Sequence, residues 1–165
     1  MSASFPRGYS ALQICLHWAV ALLVLFQLFF GESMTTVVEA AEEGGQASAQ
    51  DQFLASAHHW AGWAILGLVI LRLALRISAG APKAAGAADW MSRAATVSHW
   101  LFYALLIAMP VTGLLTYFGL ADLGEVHALG KPVFIVLIVI HAAAAFFHAV
   151  FLKDGTLRRM LVPAK

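Results

Sequence analysis

The chain has 165 residues, of which 61% are hydrophobic and only 12% charged. A typical soluble domain carries about 25% charged residues, so this composition excludes a soluble domain and makes lipid the expected solvent. A net charge of +1 with no basic arm excludes nucleic acid as a partner. The single cysteine, Cys15, excludes an intrachain disulfide, a cysteine-held iron–sulfur cluster and covalent C-x-x-C-H haem attachment.

Four apolar stretches each have the roughly 20 residues that a spanning helix needs. In chain order they are Ser10–Phe30, Leu54–Ile77, Thr96–Phe118 and Pro132–Leu152. The first is too rich in Trp, Gln and His for a cleaved signal peptide, and no A-x-A-like site follows it. The segment from Gly31 to Gln52 reads as a mobile or short-helical loop outside the membrane, and "GAPKAAGAADW" as a linker on the inner side. No internal repeat is visible, so residues 1–165 are read as one domain.

The connections differ in charge. Glu32, Glu39, Glu42, Glu43 and Asp51 lie between the first two stretches, and Asp122 and Glu125 between the last two, with Lys131 at their edge. Arg7, Arg72, Arg76, Lys83, Arg93, Lys153, Arg158, Arg159 and Lys165 all fall on the other side, which is 9 of the 10 basic residues (10 minus Lys131). Cytoplasmic loops are the positive ones. The expectation is an all-α integral membrane four-helix bundle, up-down-up-down, with both termini cytoplasmic.

All seven histidines lie in or beside these stretches: His17, His58, His59, His99, His127, His141 and His148. Polar side chains at membrane depth are costly and commonly mark function. His127 and His141 are 14 residues apart, about 21 Å of rise and 40° short of four full turns on an ideal helix. They face one way at two depths, as one helix must to hang two stacked haems in a bundle. Topology supplies second imidazoles at matching depths, pairing His58 with His127 outside and His17 with His141 inside. Filling both axial positions disfavours O₂ binding and suits electron transfer.

His148 and His99 belong near the inner haem edge, as contacts to haem propionates or quinone or as a replacement for His17. His59 reads as interfacial, or as the substitute for His58 if the register shifts. Pro132 and Gly130 fall between His127 and His141, where a proline kinks a helix that neighbours must compensate. Arg72 and Arg76 read either as snorkelling anchors or as partners of propionates or a quinone carbonyl. The five tryptophans sit near span ends, as interface anchors do. Gly62, Gly67 and Gly113 read as helix-packing positions, with close approach of a flat macrocycle as the alternative. No paired acids, G-x-S-x-G or P-loop occurs, so no catalytic side chain is assigned. The spread of the histidines across depth also argues against a zinc cage.

"YSALQICLHW" (Tyr9–Trp18), "HHWAGWAILGLVILRLALR" (His58–Arg76), "HWLFYALLIAMPVTG" (His99–Gly113) and "HAAAAFFHAVFLKDGTLRRM" (His141–Met160) resemble the bacterial cytochrome b561 family of four-helix dihaem membrane proteins. The resemblance covers all four helices. It implies two non-covalent haem b groups, electron exchange with ubiquinone and a bacterial inner-membrane location. On matching positions it implies His17, His58, His127 and His141 as axial ligands, with His99 and His148 also at family histidine positions. Some members of the family are superoxide oxidases. A site that collects this anion should be electropositive, and the seven acidic residues against Lys131 on the outer side depart from that.

The reading is a dihaem b-type cytochrome carrying electrons between a periplasmic donor and ubiquinone, with superoxide one candidate donor. Two other readings fit the same residues: a haem-b membrane anchor for a periplasmic dehydrogenase or hydrogenase, which would dock a redox protein on its outer face, and a haem-free histidine transporter or proton relay.

Overall fold

A computed structural model describes residues 8–80, 82 and 89–164. Arg7, Lys83, Lys165 and most of the linker from Gly80 to Trp90 lie outside the described residues. The elements are α1 (Ala11–Phe30), α2 (Glu32–Glu42), α3 (Ala49–Ala79), α4 (Asp89–Tyr117) and α5 (Gly124–Phe147). A π-helical turn (His148–Leu152) and a 3-10 turn (Arg158–Met160) follow. Among the described residues, four helices are long and apolar enough to cross a membrane.

Local chemistry sets the helix ends. Ser10 and Gln13 form a reciprocal capping box that starts α1. The Ser48 hydroxyl accepts the Asp51 N–H at 3.1 Å, so α3 begins five residues before the apolar run at Leu54. Gly80, at φ 75° and ψ −175°, takes a conformation open chiefly to glycine and ends it. The acidic connection folds as α2, which packs on α3 through Ser33 Oγ to Asp51 Oδ1 at 3.0 Å. The last helix starts at Gly124 and runs through Pro132 without a break, so His127 sits in its first turn rather than in a loop.

Side-chain contacts make the bundle antiparallel. Gln13 reaches the Gly80 carbonyl while Gln27 reaches that of His58, which runs α1 against α3. His59 stacks on Tyr117 while Arg76 lies over Trp100 and Tyr103, which runs α3 against α4. Thr116 meets the backbone of Leu123 while His99 meets His141, which runs α4 against α5. At the end that carries the termini, Trp18 Nε1 donates to the Met160 carbonyl at 2.9 Å and the Ala164 N–H to that of Tyr9 at 3.0 Å. These bonds fold the C-terminal segment back onto α1.

The outer surfaces of the spans are apolar, with side chains such as Leu22, Phe29, Ile77 and Ile140 exposed. That suits lipid. The core is small: Val20, Val24, Ile65, Val69, Tyr103 and Phe134, with Val69 fully buried. Phe134 lies seven residues from His127 and seven from His141. The core is thus an apolar plug between two histidine levels.

Candidate functional site

The histidines meet across helices in two tiers. At the end away from the termini, His58 of α3 faces His127 of α5 with ring centroids 6.0 Å apart. At the end with the termini, His17 of α1 faces His141 of α5 at 6.3 Å. His99 of α4 also approaches His141, at 5.9 Å, and Phe102 packs edge-on against the same ring at 5.3 Å. The structure therefore brings two rings, those of His17 and His99, close to that of His141.

These spacings fit ligation of one ion from both sides. A metal–imidazole bond is about 2.0–2.1 Å, which puts nitrogens on opposite sides of an ion about 4 Å apart and their ring centroids about 6 Å apart. Among the described residues no three of His, Cys, Asp and Glu come together as a metal cage. A pair of imidazoles at this spacing would suit a macrocycle that supplies its own equatorial donors, such as haem.

The first tier is built by close approach to α4. His127 Nδ1 lies 2.9 Å from the Met109 carbonyl oxygen, and a carbonyl only accepts, so Nδ1 carries the proton. The lone pair is then on Nε2, the arrangement seen when a ligand imidazole is fixed by its other nitrogen. The Thr112 hydroxyl donates to the same carbonyl at 2.9 Å and lies 3.3 Å from Nδ1. Gly113 makes this possible: a Cβ there would stand 2.9 Å from His127 Cε1 and 3.1 Å from Nδ1. The small residue leaves room for the imidazole. On the other side of the tier, a Cβ on Gly31 would press on the His58 ring at 3.3 Å.

Arg72 acts electrostatically on His17, His99 and His141, and Arg76 on His99. Arg76 is also held over Trp100 and Tyr103, at 5.8 Å from each ring. His148 bonds through Nδ1 to Asp154 Oδ2 at 2.5 Å. Burial pushes the Asp154 carboxyl up, but hydrogen bonds from the His148 side chain and from Thr156 outweigh it and hold the group down at about 2. His59 is not in the first tier; it stacks on Tyr117 at 4.1 Å. Sequence reasoning alone does not single out Gln27, Met109, Thr112 or Asp154. The only signal for Gln27 is an amide in an apolar span, and a backbone carbonyl such as that of Met109 has none.

A family profile described as prokaryotic cytochrome b561 matches residues 8–163. The chain belongs to the prokaryotic cytochrome b561 family. Within it, a protein named cytochrome b562 from Cereibacter sphaeroides is 33% identical over 157 residues, covering 94% of this chain and 96% of that protein. A protein named probable superoxide oxidase CybB from Yersinia pestis is 31% identical over 178 aligned residues, with the same shares covered. This cytochrome b561 is thus a multi-pass bacterial membrane protein with haem b as its cofactor and electron transfer as its role.

Proposed function

We propose that this cytochrome b561 carries two haem b groups and moves electrons across the bacterial inner membrane between a periplasmic donor and ubiquinone. The observation that supports this is the pair of facing imidazole tiers at opposite ends of one bundle. His58 and His127 would hold the outer haem, and His17 and His141 the inner one. When bound, each haem would supply a one-electron couple.

The chain's own residues do the rest. Met109 and Thr112 fix the tautomer and ring of His127. Arg72 and His99 lie against the inner tier, where they bind propionates or the quinone head. His148, with its Nδ1 tied to Asp154, presents a second ring to a quinone on the same side. Both termini are cytoplasmic, because 9 of the 10 basic residues (10 minus Lys131) belong to that side.

The donor is better sought among cations or neutral species than as superoxide. Seven acidic residues face the outside, and Lys131, the one cation there, pairs with Glu32 at 3.6 Å. The same acidic surface on α2 favours a second reading, in which the outer face docks a periplasmic redox subunit that this chain anchors.

The test is the optical spectrum of detergent-purified protein, oxidised and dithionite-reduced, with haem counted per chain. Two low-spin b haems are expected, with one lost in His141→Ala. Colourless protein, or His141→Ala with both haems intact, overturns the proposal. A periplasmic subunit that co-purifies in stoichiometric amount supports the anchor reading.

A further inference from the structure

Among the described residues, two buried side-chain atoms lack hydrogen-bond partners: Gln27 Oε1 and His58 Nδ1. They belong to neighbours, because Gln27 Nε2 donates to the His58 carbonyl oxygen at 3.0 Å. That bond sets the amide of α1 beside the residue whose ring nitrogen is unpaired. Gly62, one turn along α3, borders the same amide: a Cβ there would lie in ordinary contact, 3.8 Å from Gln27 Nε2. An unpaired polar atom buried in an apolar bundle is costly. Here one orphan is an acceptor only, and the other is a nitrogen that donates when it carries the ring proton. A single hydrogen bond satisfies both.

We propose that Gln27 is a positioning residue for His58: its Oε1 accepts the Nδ1 proton and so holds the imidazole with Nε2 toward His127. The inference rests on the reading of His58 as a haem ligand. It gives His58 the tautomer that the Met109 carbonyl gives His127, so each ligand helix of the outer tier is oriented by a neighbour that contributes no ligand to it. A hydrogen bond to the distal nitrogen makes a ligand imidazole more basic. A more basic ligand stabilises the oxidised haem and lowers its potential.

The experiment is a redox titration of the purified full-length holoprotein, followed by its haem spectrum, for wild type, Gln27→Leu and Gln27→Glu, with His58→Ala as reference. His58→Ala should lose one of two haems; retention of both overturns the ligand reading and this inference with it. With one haem lost in His58→Ala, Gln27→Leu should raise the potential of that same haem and leave the other in place. Gln27→Glu, a stronger acceptor, should return it to the wild-type value or below. Loss of that haem in Gln27→Leu but not in Gln27→Glu supports the inference equally. Unmoved potentials, an equal shift of both haems, or loss of the haem in both variants overturns it and leaves Gln27 as interhelical packing alone, with the ligand reading intact.

Discussion

Replacing Gly113 with alanine should weaken the outer haem site without touching a proposed ligand. A Cβ at this position would lie 2.9 Å from His127 Cε1, 3.1 Å from Nδ1 and 3.5 Å from Nε2. Comfortable contact begins at about 3.5 Å, so the ring must retreat by about 0.6 Å. It has no long flexible stem with which to do so, and moving it strains the bond to the Met109 carbonyl at 2.9 Å. Ligand constellations tolerate about 0.5 Å of misplacement, so the shift falls outside that tolerance. Overpacking of this kind costs about 1–3 kcal/mol. If that cost appears in haem binding, affinity at the outer site falls roughly 5- to 150-fold. The assay is haem titration of apo protein, with the two components separated by potential. Gly113→Ala that binds two haems with unchanged affinity and potentials would refute the reasoning.

Other expectations follow from the same geometry. His17→Ala should lose the inner haem, whereas His99→Ala should keep two haems per chain and shift only the inner potential; the reverse pattern would make His99 the partner of His141. Asp154, held at about 2 against a usual 3.8, adds stability that is fully present above about pH 4 and is lost as pH falls toward 2. In thermal unfolding, Asp154→Asn should therefore trail wild type at about pH 5, with the margin narrowing as pH falls below about 4; a margin that widens in acid would show the sign to be wrong. Neutralising Glu32, Glu39 and Glu42 together should slow reduction by a cationic donor and speed reduction by superoxide, with both effects fading as salt is raised. Stopped-flow rates that ignore both substitution and salt would remove the electrostatic case.

Hydropathy located the spans because each is a continuous apolar run, and the depth of the histidines anticipated both facing pairs. The helix ends were less legible. Ser48 caps α3 ahead of its apolar run, and the helix carrying His127 starts at Gly124, before Pro132. Nothing in a hydropathy pattern marks where a capping hydroxyl or a tolerated proline leaves the helix intact. Gly113 stood out as a small residue, but its use depends on which side chain crosses to it from α5. The Met109 carbonyl and the Gln27 amide were invisible for the same reason: each meets a histidine residue of another helix, a proximity that exists only after the chain packs. Asp154 is a near neighbour of His148, and its bond depends on the local turn between them, which hydropathy does not mark.

The two tiers are held differently, and the difference predicts the order of their potentials. At the His58–His127 tier a carbonyl accepts from His127, and the acidic connections lie at that end of the bundle. Both raise the stability of the oxidised, more positive haem and so lower its potential. At the inner tier His141 is packed by Phe102 and His17 by Trp18, and Arg72 lies within electrostatic reach of both histidines. A fixed cation favours the reduced haem and raises its potential. The inner haem should therefore lie above the outer one. A gap of about 60 mV is a tenfold bias in where a single electron resides, and a gap at least that large is expected. Redox titration of wild type, with His58→Ala and His141→Ala used to assign the two components, measures it. In the proposed arrangement, with cytoplasmic termini and quinone on that side, this order would let electrons entering from the periplasm run downhill toward the quinone. Arg72→Leu should shrink the gap by lowering the inner potential alone. An outer haem of higher potential in wild type would refute the electrostatic argument and point to flow in the opposite direction.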